Sequence, residues 1–388
     1  MRPGQAKRPP SAIRYCDRRD AVRTACLAIT QLVIATQSLV YAQSPAPPIT
    51  DVAFTPDGNA IVAVSQSGLQ IYRWPSLDLQ RTVLDLRRTV LDLRRTVEVD
   101  APNLHCVAFS SDGSHVAIGG GEPSQSGSVE IFPWPLSSEA QTREAKFSRS
   151  QRLTGHDDSV RAIVWLGPTS IASASLDRTI IRWDLAGEPH RQQTLRGHSR
   201  SIHALAAFDV TSKSNPRAST SVSKTVRTGL ISGGDDRSIR VWELMPEAGS
   251  SPLRRTLHQH TAAINDLATR ANGNGLPMVA SASADRSIRF WQPTIGRMVR
   301  YVRLPAVPLV VAWLDDKHLV AGCDDGQVRL IDTVNVQVIE TLPVLEGWVY
   351  SLAVSAKQDN DPRTSIVVGG SGGQLRSLDF TIPEKLAR

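Results

Sequence analysis

The sequence predicts an all-β fold assembled from seven copies of one four-stranded antiparallel unit. Three observations carry that prediction: an apolar motif recurs, its spacing suits four short strands, and turn residues follow it in register. The motif is an apolar position, two variable ones, then apolar residues closing on an aromatic or small side chain. It runs Ile49–Phe54, Leu104–Phe109, Val160–Trp165, Ile202–Ala207, Ile264–Thr269, Pro308–Trp313 and Val349–Val354. Successive starts lie 55, 56, 42, 62, 44 and 41 residues apart. The shortest three match the ~40–45 residues that four strands and their turns require.

Each element has a local cause. Thr55-Pro56-Asp57-Gly58 and Ser110-Ser111-Asp112-Gly113 follow the first two copies, and glycine supplies the positive φ of a tight hairpin. Short apolar runs such as Ile171–Ser175 and Val279–Ser283 lead into Asp-Arg-Ser/Thr-Ile turns and another strand. No helical pattern of comparable length interrupts them, and with 41% hydrophobic and 21% charged residues a large core can be buried. One domain is expected over 43–388, with its core at 49–380.

Three consecutive repeats are more specific. Thr154-Gly155-His156 through Arg182-Trp183-Asp184 resembles a WD40 repeat throughout. So do Arg196-Gly197-His198 through Val241-Trp242-Glu243, and Gln259-His260 through Phe290-Trp291-Gln292. The resemblance to the WD40 repeat β-propeller family covers roughly 49–380 and implies a seven-bladed WD40-type β-propeller. It also implies a buried tetrad within each blade: His156, Ser173, Asp177 and Trp183 in blade three; His198, Ser232, Asp236 and Trp242 in blade four; His260, Ser281, Asp285 and Trp291 in blade five. Such groups must satisfy one another when buried.

The remaining blades depart from the pattern and are expected to rely on apolar packing. Blade six keeps Asp325 but has Ala321 and Ile331 at the Ser and Trp positions, and blade seven has Gly372 or Gly373 and Leu378 at the Asp and Trp positions. Blades one and two carry displaced tryptophans, Trp74 and Trp134, each before a proline.

Chemistry is sparse. The Asp, His and Ser sets repeat in three blades, whereas a catalytic triad occurs once beside an oxyanion hole. The chain has no HExxH, P-loop or dinucleotide fingerprint. Asp315-Asp316 and Asp324-Asp325-Gly326 do not continue into a calcium loop and read as turns. Catalytic, metal and cofactor sites are therefore not expected, and Asp51 and Asp266 are the main acidic residues the inner strands supply.

Binding is the better expectation. The resemblance implies that residues opening each first strand, and those just before the tetrad Asp, form contacts on one narrow face. Here these are Arg161, His203, Asn265, Leu309 and Tyr350, with Trp348 close by, and Leu176, Asp235, Ala284 and Asp324. Arg178, Arg237 and Arg286 follow the tetrad aspartates, as a basic arc or as locally paired turn residues. In the geometry the resemblance implies, insertions at 209–228, 270–277 and 355–364, and at 137–150 and 245–253, fall on the opposite face; only Glu122–Ser128 lengthens a loop on the narrow one.

A triplicated heptad, Leu77–Val83, Leu84–Val90 and Leu91–Val97, expands the first spacing. It reads as a recent duplication inside a tolerant loop or as an amphipathic basic docking segment. Its Thr-Val pairs favour a strand, and any of the three registers could pair with the blade.

Residues 1–42 carry seven Lys and Arg against two Asp, most of the chain's net charge of +7. The charge therefore gives little support for nucleic-acid binding by the propeller. A basic stretch, an apolar run from about Ala25 to Val40 and Val40-Tyr41-Ala42 before Gln43 form a secretory signal. An uncleaved anchor, or a strand at 37–43 that closes the ring, are the other readings. If the leader is removed, Thr381–Arg388 is the expected source of the last outer strand. Cys16 and Cys26 fall in the leader and Cys106 and Cys323 in strands, with no CxxC.

The functional expectation is a non-enzymatic, monomeric scaffold binding a protein or peptide, exported to the periplasm or the cell exterior, with no stable membrane span. The alternatives are a propeller enzyme of lactonase or quinoprotein type, or a cytoplasmic regulatory scaffold if the N-terminus is retained.

Overall fold

A computed structural model describes residues 46–83, 103–135, 151–211, 226–244, 250–270, 277–356 and 363–381. The leader, the second and third heptads and most of the expected insertions lie outside these residues.

Seven antiparallel sheets follow one another along the chain, each ordered as its strands occur in sequence. Blade one holds β1 (Ile49–Phe54), β2 (Ala60–Ser65), β3 (Gly68–Arg73) and β4 (Leu79–Val83); blade two holds β5 (Leu104–Phe109), β6 (His115–Glu122), β7 (Ser126–Pro133) and β8 (Gln151–His156). Blade three is β9 (Val160–Gly167), β10 (Ser170–Ser175), β11 (Thr179–Asp184) and β12 (His190–Arg196); blade four is β13 (Ile202–Thr211), β14 (Val226–Gly234), β15 (Ile239–Glu243) and β16 (Leu253–Leu257). Blade five is β17 (Ile264–Thr269), β18 (Val279–Ser283), β19 (Ser287–Gln292) and β20 (Arg297–Arg303); blade six is β21 (Pro308–Trp313), β22 (His318–Cys323), β23 (Gln327–Asp332) and β24 (Gln337–Pro343). Blade seven contributes β25 (Val349–Val354), β26 (Arg363–Gly370) and β27 (Leu375–Thr381), with a 3-10 turn at Ser371–Gly373. Each inner strand touches the next, and β25 touches β1, so the inner strands close a ring. The fold is thus a seven-bladed β-propeller.

The cores lie between blades. Val62, Val64, Leu69 and Ile71 of blade one pack on Leu104, Val116, Ile118 and Phe132 of blade two. The seam between blades seven and one is filled by Val367 against Ile49, Val52, Ile61 and Ala63. Burying each Val, Leu or Ile contributes about 1.5–3 kcal/mol, so the ring is held by the sum of its seams. Second strands are covered on both faces and use small residues: every residue of Val279–Ser283 is buried. Outer strands face water, as the almost wholly exposed Gln337–Pro343 shows.

Polar bonds also stitch neighbouring blades. The Trp165 and Trp313 indoles donate to the carbonyls of Ala108 and Ala268, at 3.0 and 3.1 Å. The displaced tryptophans stay within their own blades, Trp74 edge-on to Phe54 and Trp134 edge-on to Phe109. Both precede cis prolines, Pro75 and Pro135.

Four sequence expectations need correction. Thr381 is not on an outer strand: it ends β27, paired with Arg363, and 382–388 lie outside the described residues. Glu122–Ser128 is mainly longer strand rather than longer loop, because Glu122 pairs with Ser126. The insertion at 209–228 begins and ends in strand, with Thr211 paired to Val226. Blade six does not rely on apolar packing alone, since Arg329 bonds Asp325 twice.

Candidate interaction face

The three tetrads fix the geometry of one face. The Trp183 indole N–H donates to Ser173 Oγ at 2.9 Å, and that oxygen lies 2.8 Å from His156 Nε2. His156 Nδ1 lies 2.8 Å from Asp177 Oδ2. An ionised carboxylate can only accept, so the Nδ1–H is donated to Asp177. Blade four repeats the chain through Trp242, Ser232, His198 and Asp236 (2.9, 2.7 and 2.9 Å). Blade five repeats it through Trp291, Ser281, His260 and Asp285 (2.8, 2.7 and 2.8 Å).

The tetrads are not confined within single blades. His156 is the last residue of β8, the outer strand of blade two, whereas Ser173, Asp177 and Trp183 belong to blade three. His198 and His260 lie in the segments joining β12 to β13 and β16 to β17. Each histidine therefore clamps a crossing between blades to the blade that follows. Each aspartate also takes the amide just after its histidine, as Asp177 takes that of Asp157 at 3.0 Å.

Burial alone would raise the tetrad carboxyls. The imidazole and hydroxyl donors outweigh it, leaving Asp177 and Asp285 at about 2 and Asp236 also well below the usual range. Burial lowers His198 and His260 despite the pull of their aspartates. A depressed carboxyl locked to a buried neutral imidazole is a structural clamp and offers no exposed nucleophile.

Each turn that carries the aspartate is pinned beside the opening of its own inner strand. The amides of Leu176, Asp235, Ala284 and Asp324 donate to the carbonyls of Ser159, Ser201, Ala263 and Val307, at 3.1, 2.9, 2.9 and 3.0 Å. The two sets singled out from sequence therefore share one face. Arg161, His203, Asn265, Leu309 and Tyr350 all line a central cavity of about 620 Å³. Leu176, Ala284, Asp324 and Trp348 do not; they lie outside it on the rim. Asp235 lies in a separate hollow with Arg200, Arg237 and Ala263 and holds His203 Nε2 at 2.8 Å. Trp348 is 50% exposed and its ring sits 5.7 Å from that of Tyr350.

Thr50 and His105 also line the cavity. They occupy the second position of the motif in blades one and two, as Arg161 does in blade three. The repeat marks them, although those blades lack tetrads. Arg161 Nη1 donates to His105 Nδ1 at 3.1 Å, and burial, with the nearby guanidinium, lowers His105 to about 4, so its ring is neutral.

Asp51 and Asp266, the main acidic residues of the inner strands, are spoken for. Asp51 accepts the amides of Val52 and Val107, both at 2.9 Å. Asp266 accepts those of Leu267 and Val311, both at 2.8 Å. Each carboxyl thereby ties its strand to the next blade, and burial raises them to about 7 and about 6. Asp315 likewise serves a turn, bonding the amides of Lys317 and His318. Among the described residues no group of three or more His, Cys, Asp or Glu is placed to hold a metal ion, and no helix is long and apolar enough to cross a membrane.

Seven sheets in a ring, with His-Ser-Asp-Trp clamps at successive crossings, define a propeller of the WD40 class. Residues 147–184, 190–243 and 251–292 match the family model of the WD domain, G-beta repeat, so these three repeats of the propeller are WD40 repeats. It is 27% identical over 219 residues to the anaphase-promoting complex subunit cdc20 of Dictyostelium discoideum, across 56% of this chain and 37% of that protein. It is 26% identical over 318 residues to a guanine nucleotide-binding protein subunit beta of Oryza sativa subsp. indica, across 78% of this chain and 74% of that protein. Protein FIZZY-RELATED 2 of Arabidopsis thaliana is 25% identical over 272 residues, across 69% of this chain and 48% of that protein. The chain thus spans about a third to a half of the first and third of these relatives.

Proposed function

We propose that the chain is a non-catalytic regulatory scaffold that binds a protein partner on the face bearing the tetrad turns. The observation that carries this reading is convergence: five side chains from five blades meet at one cavity, with the exposed Trp348 standing over Tyr350 at its rim. Large aromatics lose little entropy when a partner covers them, which suits them as anchors. The inner carboxylates are committed to amides of the ring, which disfavours a propeller enzyme working through them. Relatives named as subunits of larger complexes support a regulatory scaffold with residues 1–42 retained over an exported one.

Affinity capture with the intact protein, repeated with Trp348→Ala and Tyr350→Ala, tests the face. Loss of the same partner from both variants is expected; unchanged capture by both would overturn it. N-terminal sequencing of the natural product tests retention, with a start at Met1 expected and a start at Gln43 against it.

A further inference from the structure

Several arginines on this face are left without a carboxylate partner among the described residues. Arg178, Arg237 and Arg286 stand at the same turn position of blades three, four and five, all exposed and with left-handed φ of 72°, 61° and 61°. A left-handed position costs a side chain energy that glycine avoids, and blade six places Gly326 there. Arg200 is exposed in the hollow beside Arg237. Arg161 projects into the cavity, where its one hydrogen-bond partner among the described residues is the neutral His105, and Asp51 acts on it electrostatically without forming an ion pair. None of these five has an ion pair among the described residues.

The nearby carboxylates are already engaged. Asp177, Asp236 and Asp285 hold the tetrad histidines, and Asp235 holds His203. Asp158 Oδ1 takes the amides of Ser124 and Ser159. Asp51 and Asp266 spend both oxygens on backbone amides. Asp157 is the exposed carboxylate left beside this arc.

We propose that the partner's contacting segment is acidic, lying across the turns of blades three to five with one carboxylate seated on Arg161 in the mouth of the cavity. This rests on the reading that this face is the partner-binding one, and it names the partner's chemistry. A planar guanidinium with unused N–H groups matches a carboxylate in two parallel bonds. The cavity is partly shielded from water, so that pair is worth more than one on the open surface. The exposed arginines add short-range charged hydrogen bonds at the rim, which salt weakens. A space of about 620 Å³ walled by seven strands admits a side chain from an extended peptide and excludes a nucleic-acid duplex, which is why the acidic source is a peptide.

The test is fluorescence anisotropy on the full chain with fluorescein-labelled ten-residue peptides, one alternating Glu with Gly and one alternating Lys with Gly. The Glu peptide is expected to bind, to weaken with added salt, and to lose at least about tenfold in affinity with Arg161→Gln. The variant Arg178→Gly/Arg237→Gly/Arg286→Gly copies blade six and so keeps the fold; a loss of about three- to thirtyfold is expected. Circular dichroism melts establish that both variants are folded. Equal binding of the two peptides, or unchanged Glu-peptide affinity in Arg161→Gln, would overturn the proposal. Should partner capture depend on Trp348 and Tyr350 while the Glu peptide fails, the face stands and its acidic ligand falls.

Discussion

Arg329 bonds Asp325 through two hydrogen bonds, of 3.0 and 2.6 Å, at the turn where the three preceding blades use histidine. Leu304 stands where those blades have their histidine, and it packs with Ala321 and Ile331, the residues at the Ser and Trp positions. Blade six has thus exchanged the polar clamp for an apolar one and handed its aspartate to arginine. Blades four and five already carry arginine at the matching place, Arg240 3.9 Å from Asp236 and Arg289 3.6 Å from Asp285.

Copying blade six into blade four should therefore be strongly non-additive. His198→Leu alone leaves Asp236 and Ser232 without their main partner and is expected to cost about 1.5–3 kcal/mol, the range for a hydrogen bond to a charged group. In the triple variant His198→Leu/Ser232→Ala/Trp242→Ile, Arg240 is free to close on Asp236 and no serine is stranded. Urea unfolding of the singles and the triple checks this. A triple cost equal to the sum of the singles would refute the exchange.

Gly322 of β22 predicts a second sensitivity. A Cβ there would lie 2.3 Å from Val349 Cγ1 of blade seven and 2.9 Å from Val310 Cγ1. Neither neighbour is a flexible tip, so Gly322→Ala must shift the seam between blades six and seven. A loss of about 1–3 kcal/mol is expected from overpacking, read as a lowered melting temperature. An unchanged melt would show that the seam yields freely.

Stability should also depend on pH in two opposing ways. Asp51 and Asp266 sit above the ordinary carboxyl value, so the folded chain binds more protons than the unfolded one from about pH 4 to about 7 and 6. Their contribution is complete below the unfolded value and is lost as pH rises through that window, at up to ~1.4 kcal/mol per pH unit for each group. Asp177 and Asp285, held at about 2, work the other way: their contribution is present above the unfolded value and lost as pH falls toward 2. His198 and His260, lowered by burial, likewise withdraw stability below their ordinary value. Asp51→Asn has one acceptor oxygen for two amides, so it should be less stable throughout. Its urea midpoint should nevertheless change less than that of the parent between pH 5 and pH 8. An equal change in both proteins would show that Asp51 does not titrate in this range.

Much of this was legible in the sequence, for a physical reason. A blade repeats the same strand-turn problem, so the inner-strand motif recurs seven times and the His, Ser, Asp and Trp of blades three to five keep their places. What escaped depends on how separate segments meet. His156 belongs to the repeat of blade three in sequence but ends the outer strand of blade two, because a blade begins at its inner strand while the repeat begins one strand earlier. Asp325 stands at the repeat's Asp position, but nothing in the sequence distinguishes its partner Arg329 from an ordinary strand residue. His105 occupies a motif position, but with no tetrad in blade two nothing else in the sequence singles it out. The outer edge of blade seven has no such signal, because an exposed strand with a solvated face carries little patterning to fix its place.

The triplicated heptad yields the last prediction. The first copy supplies β4, in which Leu79, Arg81, Thr82 and Val83 pair with Tyr72, Ile71, Gln70 and Leu69 of β3. The second and third copies, 84–97, lie outside the described residues and differ from the first only by Arg for Gln80. Any copy can therefore present the same Leu, Arg, Thr and Val to β3, and blade one needs only one of them. Deleting 84–97 should leave the far-ultraviolet spectrum and the melting temperature of the propeller unchanged to within a few degrees. Deleting 77–90 should give the same result, because the third copy then follows Ser76 and takes the β4 register. A protein that tolerates the first deletion but unfolds after the second would show that Gln80, and not the shared pattern, selects the outer strand.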